Sequence, residues 1–176
     1  MVGVLLLGME LLLRLAGFTV AGDINDTAAD YVASIPLFVA VEGEGGAVVY
    51  RTNPAKRMRY RDQSFEMPKP EGTLRVFCLG GSSVWGMSGA GPPLPDDLTI
   101  PARLAEALAP LSPGRRVEVI SVAAPGLNST QLAVRFPELT GYAPDLFVFY
   151  TGHNEWAGNR WDAAYMEPSF LTRLRL

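Results

Sequence analysis

The sequence has one cysteine and one histidine in 176 residues. A lone cysteine forms no intrachain disulfide, and one Cys with one His leaves no Cys/His zinc set. No motif points to a metal held by carboxylates alone, so neither metal nor cofactor is expected. Charge of one sign is equally scarce. Fifteen Lys and Arg against 18 Asp and Glu give a formal net charge of −3. General nucleic-acid binding calls for a basic face and is not expected. Neither GxxxxGK[ST] nor GxGxxG occurs, which argues against a nucleotide cradle. There is no internal repeat and no long low-complexity tract. The length suits one domain plus an appendage.

Three segments that are present share one plan. Residues 76–79 (VFCL) run into Gly80, Gly81, Ser82 and Ser83, with Gly86 just beyond. Residues 116–122 (RVEVISV) run into AAPGLNS, which holds Gly126 and Asn128. Residues 145–150 (DLFVFY) run into TGHNE, which holds Gly152 and Asn154. Each reads as a buried strand ending in a tight Gly-, Ser- or Asn-bearing loop. Helical patterns separate them. One is expected from Thr99 to Leu111, with Ile100, Leu104, Leu108 and Leu111 on one face and Pro101 in the tolerant first turn. Another is expected from Asn128 or Ser129 to Gly141, with Leu132, Phe136 and Leu139 sharing a face and Pro137 bending or shortening it. Strand–loop–helix repeated in this way indicates a parallel sheet in an α/β domain. Ligands bind such sheets at the carboxyl ends of the strands, which is the edge where all three loops fall. Cys78, inside the first strand, reads as a small buried apolar residue; burial raises a thiol pKa and argues against a nucleophilic role.

LGGSSVWG resembles the nucleophile block of the SGNH (GDSL-type) hydrolases, with Gly81 where that family often has Asp. VAAPGLNS resembles the family's second block, and YTGHNE its third. The resemblance covers residues 73–156. It implies a three-layer α/β/α flavodoxin-like fold with a parallel sheet, and hydrolysis of ester bonds carrying acyl or acetyl groups on lipid or carbohydrate. It further implies Ser82 as nucleophile. The backbone N–H groups of Ser82 and Gly126 and the side-chain amide of Asn154 would form the oxyanion hole. Donors fixed in advance lower the barrier by roughly 3–4 kcal/mol each.

Each of these residues has a plainer reading. Ser82 could instead simply cap the following turn, and Ser83 is the neighbouring hydroxyl. Gly126 follows Pro125 as in many turns, and Asn154 suits a turn or a helix cap. The GxSxG elbow of α/β-hydrolases is absent. The SGNH family's late Asp-x-x-His block does not occur in the sequence, and its base is expected beyond Leu176. Poor turnover of activated esters by these 176 residues follows. His153 is the alternative base; it adjoins Asn154, and successive loop side chains tend to diverge. Glu155, Trp156 and Trp161 are candidates for the mouth of the pocket. Two other activities fit the same residues: a non-catalytic binding or structural module on the hydrolase scaffold, and acyl transfer to a sugar.

Upstream, three regions are expected: 1–18, 19–72 and the hydrolase-like domain 73–176. Residues 2–18 (VGVLLLGMELLLRLAGF) are close to the length that spans a bilayer. Glu10 and Arg14 stand four apart on one helical face. A membrane anchor, with the domain extracytoplasmic, is the leading reading; a cleaved signal peptide and a soluble amphipathic helix are its rivals. Similar openings occur in membrane-anchored members of the family. Within 19–72, LFVAVEGEGGAVVYRT reads as a hairpin turning at residues 42–46. Arg51, Lys56, Arg57, Arg59 and Arg61 then read as a solvated basic face, or as a contact for anionic lipid headgroups. Pro68 and Pro70 read as a short stiff linker into the core.

Overall fold

A computed structural model describes residues 35–155 apart from residue 90. It is a mixed α/β structure with two three-stranded sheets. Strand β1 (Phe38–Glu42) pairs antiparallel with β2 (Val48–Thr52), Phe38 facing Thr52 and Glu42 facing Val48. The turn between them runs through Gly45 and Gly46, as expected for this hairpin. A third strand, β3 (Ser64–Met67), adds antiparallel to β2 and was not expected from the sequence.

The second sheet is parallel throughout. It contains β4 (Thr73–Gly80), β5 (Arg116–Ala123) and β6 (Leu146–Tyr150) in the order β5-β4-β6. Central β4 is buried along nearly its whole length, which is why it reads as an apolar run without alternation. Three helices follow the strands: α1 (Ser82–Trp85), α2 (Ile100–Leu108) and α3 (Ser129–Thr140). Alternate residues of a strand face opposite ways. Phe77, Leu79, Ile120 and Val122 accordingly pack with Leu132 and Leu139 of α3 and with the small sheet. Cys78 and Ala123 face the other way, against Val84 of α1 and Leu104 of α2. The chain moves from β4 to one neighbour, then crosses back to the other. The strand order therefore reverses between β4 and β6, and ligands of open α/β sheets bind in the crevice at such a reversal.

The small sheet is joined to the parallel sheet by more than apolar contact. Phe38, Phe65 and Tyr142 meet edge to face. The Glu138 carboxylate accepts from the backbone N–H groups of Leu37 (2.7 Å) and Phe38 (3.1 Å) and from the Tyr142 hydroxyl (2.9 Å). Arg75 of β4 is fully buried. Its guanidinium pairs with Glu118 at 2.5 Å, donates to Tyr142 O and Glu66 O at 2.8 Å each, and lies over the Phe65 ring. Residues 68–70 are thus not a linker between separate parts; the parts share one core.

The two expected helices form with changed ends. Helix α2 stops at Leu108, and a tight turn over Ala109–Leu111 follows, because Pro110 has no N–H to extend the ladder. Leu111 leaves the expected stripe and is 76% exposed, and Ile100 is 39% exposed, while Pro101 is buried instead. Helix α3 begins one residue after Asn128, whose side chain accepts from Gln131 N while Gln131 Oε1 accepts from Asn128 N. This reciprocal capping satisfies two N–H groups that the first turn would otherwise leave unpaired. The helix continues through Pro137 to Thr140. Of its expected apolar face, Leu132 and Leu139 are buried, whereas Phe136 stays partly exposed against Phe147 and Phe149.

Candidate functional site

The first loop follows β4. Gly81 takes an extended conformation (φ −90°, ψ −151°) and Ser82 opens the single turn of α1. The turn closes when Gly86 N donates to Ser82 O at 3.0 Å. Ser82 is half-buried and Ser83 is exposed. The second loop follows β5. Gly126 sits at φ +81°, in the left-handed region that favours glycine, and is exposed. Buried Leu127 and the cap Asn128 then fix the chain to the start of α3. The third loop follows β6 through Gly152, His153 and Asn154. Asn154 Nδ2 donates to Leu127 O at 2.7 Å. The Glu155 carboxylate accepts from Ser129 N (3.0 Å) and Ser129 Oγ (2.7 Å), which ties this loop to the N-terminus of α3.

The three loops meet at Gly81. A Cβ at that position would lie 2.5 Å from Asn154 Nδ2, 2.9 Å from His153 Nε2 and 3.3 Å from Leu127 O. Bare backbone at the residue before Ser82 is therefore what admits the Asn154 amide and the His153 imidazole. An Asp at position 81, which the resemblance would allow, does not fit this packing. Divergence of His153 and Asn154 was expected; instead both side chains approach the same point, because Gly81 presents no side chain to separate them. The Asn154 amide carries two N–H donors. Leu127 O takes one of them.

A segment read from sequence as solvent-facing is folded onto these loops. Lys56 is buried, 2% exposed. Arg59 Nη2 donates to Pro125 O at 2.8 Å. Arg61 Nε donates to Trp85 O at 2.6 Å and Nη2 to Leu94 O at 2.7 Å; the guanidinium pairs with Asp96 and lies 4.9 Å from the Trp85 ring centroid. Gln63 exchanges hydrogen bonds with both backbone groups of Ser121 on the outer edge of β5. Only the exposed members fit the expectation of a solvated face: Arg51, and Arg57 beside Asp62. A signal for Arg61 was present. Arg61, Gln63 and Phe65 face inward while Asp62, Ser64 and Glu66 face outward, the period of two that marks an extended chain.

An open apolar groove of about 310 Å³ runs between α3 and β6, lined by Ser129, Leu132, Ala133, Phe136, Phe149 and Thr151. It adjoins the third loop through Thr151 and Ser129. The Cys78 thiol is fully buried, and burial pushes its pKa up to about 11, in keeping with the expected inert role. Residues 2–18, Trp156 and Trp161 lie outside the described residues. Among the described residues, no helix is long and apolar enough to cross a membrane. No group of three His, Cys, Asp or Glu among them is arranged to hold a metal ion. No family model matches the chain, and neither does any curated protein or solved structure.

Proposed function

We propose that the domain is an SGNH-type serine hydrolase acting on ester bonds, built on a flavodoxin-like sheet. Ser82 is the nucleophile, and Ser82 N–H, Gly126 N–H and the Asn154 amide receive the oxyanion. The observation that carries this reading is the meeting of the Asn154 amide with the backbone of Gly81 and Leu127, at the reversal of the strand order. Addition of a serine hydroxyl to an ester carbonyl moves negative charge onto the carbonyl oxygen. Neutral donors held by a rigid backbone stabilise that charge without reorganising, and each contributes about 3–4 kcal/mol. Ser82 stands at the start of the single turn α1. The groove beside Thr151 suits the acyl part of a substrate, since its lining is almost wholly apolar.

A serine hydroxyl needs a base. His153 is the one imidazole of the sequence, and its Nε2 lies beside Gly81; the family resemblance instead calls for an Asp-x-x-His block. Replacing His153 by alanine separates the two sources. Residues 1–18 would anchor the domain to a membrane, a reading that rests on their apolar run, with the domain on the extracytoplasmic side.

Labelling with a fluorophosphonate, on this chain and on any longer version of it, followed by mapping of the modified residue, tests the proposal. A phosphonyl group on Ser82, abolished by Ser82→Ala, is the expected result. No covalent label, with carboxylates such as acetate binding reversibly and perturbing Asn154, would mark a carboxylate-binding module instead.

A further inference from the structure

The segment 59–63 touches the loops after β4 and β5, and most of its contacts fall on the backbone. One contact has a specific consequence. Arg59 Nη2 donates to Pro125 O at 2.8 Å. That carbonyl belongs to the same planar peptide as the N–H of Gly126. In a trans peptide the C=O and N–H point in opposite directions, so a group held on the oxygen sets where the hydrogen aims. A cationic donor on the oxygen also draws electron density from the peptide and makes its N–H a stronger donor, as in any hydrogen-bonded chain. Gly126, lacking a side chain and at φ +81°, offers little resistance of its own to rotation of this peptide.

We propose that Arg59 is a positioning residue for the oxyanion hole. Its guanidinium fixes and polarises the Pro125–Gly126 peptide so that Gly126 N–H faces the reacting oxygen. Arg61 supports the other side in the same manner. It holds the last carbonyl of α1 at Trp85 and the carbonyl of Leu94, and so fixes the turn that carries Ser82. Gln63 holds β5 two residues before its end. The small sheet and its following strap are, on this view, a brace for the site, a role their sequence does not announce. The inference rests on the hydrolase reading for its catalytic meaning, while the placement of the peptide stands by itself.

Two readouts on the full 176-residue chain separate these. The first is the amide resonance of Gly126 in a ¹⁵N-labelled sample, whose nitrogen shift responds to hydrogen bonding at the preceding carbonyl. The second is the rate of fluorophosphonate labelling at Ser82. Arg59→Ala is expected to move the Gly126 resonance and to slow labelling roughly tenfold, part of the 10²–10³ that loss of a whole donor costs. Arg59→Lys, which keeps a cationic donor, should restore part of both. Arg57→Ala, just upstream of the segment and paired at the surface with Asp62, should leave both unchanged. If the alanine variant does not fold, Arg59→Gln gives the same two readouts. An unmoved Gly126 resonance overturns the placement. A moved resonance with an unchanged labelling rate overturns the catalytic role of that placement. Absence of any label on Ser82, both in the wild-type chain and in any longer version of it that carries the expected base, overturns the hydrolase reading and leaves the placement to be judged by the resonance.

Discussion

Replacing Gly81 by alanine strikes the point where the three loops meet. The new Cβ would fall 2.5 Å from Asn154 Nδ2 and 2.9 Å from His153 Nε2, closer than carbon and nitrogen approach without a bond. At φ −90° the backbone conformation is one that alanine adopts, so the penalty is one of space alone. Asn154 must swing away and release Leu127 O. A lost hydrogen bond costs about 1 kcal/mol and overpacking about 1–3 kcal/mol, so a loss near 2 kcal/mol is expected in urea unfolding, as a lower midpoint with unchanged slope. The chain stays folded under assay conditions if its stability is ordinary. Labelling of Ser82 should nevertheless slow by about 100-fold, the effect of removing one oxyanion donor. Asn154→Ala should slow it similarly. The double variant should lose little more than either, because both changes remove the same donor and residues in contact are not additive. A wild-type labelling rate in Gly81→Ala, or losses that multiply in the double variant, would refute the assignment of Asn154.

Arg75→Met leaves Glu118 and two carbonyls without their buried partner and should cost about 3–5 kcal/mol; adding Glu118→Leu should recover part of it, both read by urea unfolding. A cost below about 1 kcal/mol would mean that Arg75, which reaches Glu66 O and the Phe65 ring of the small sheet, does not hold the two sheets together. Burial pushes the Asp145 carboxyl up, but the Lys69 ammonium, the Arg75 N–H at 2.7 Å and Arg115 outweigh it and hold it below the ordinary range. Its contribution is therefore present above the unfolded carboxylate pKa and lost as pH falls through the depressed folded value; Asp145→Asn should remove about 1 kcal/mol at pH 7 and flatten that acid limb. Cys78 has the opposite sign: its stabilising effect is full below the unfolded pKa near 9.0 and lost as pH rises toward 11. A disulfide reagent at pH 8 should modify it only on unfolding, and rapid modification of the native chain would contradict its burial.

The parallel strands were legible because β4 and β5 are apolar over long runs and end in glycine loops, and the hairpin because two β-rich runs flank Gly45 and Gly46. Strand β3 was hidden by its length, four residues between Gln63 and Pro68, with only Phe65 fully buried. Helix α2 misled because its apolar spacing outlasts its hydrogen bonding, which Pro110 ends. Ser82, Gly126 and Asn154 could be named from their loops, each by a local pattern. The contacts around them could not. The approach of Asn154 and His153 to Gly81 depends on a side chain that is missing, and the reach of Arg59 to Pro125 spans 66 residues. Arginines in a polar run look alike in sequence whether they meet water or a backbone carbonyl.

The structure of the fluorophosphonate adduct tests the convergence most directly. Phosphorus bonded to Ser82 Oγ, with its oxygen about 2.7–3.1 Å from both Gly126 N and Asn154 Nδ2, is the expected result. Phosphorus on Ser83 or another serine, or an oxygen turned to solvent away from both donors, would contradict it.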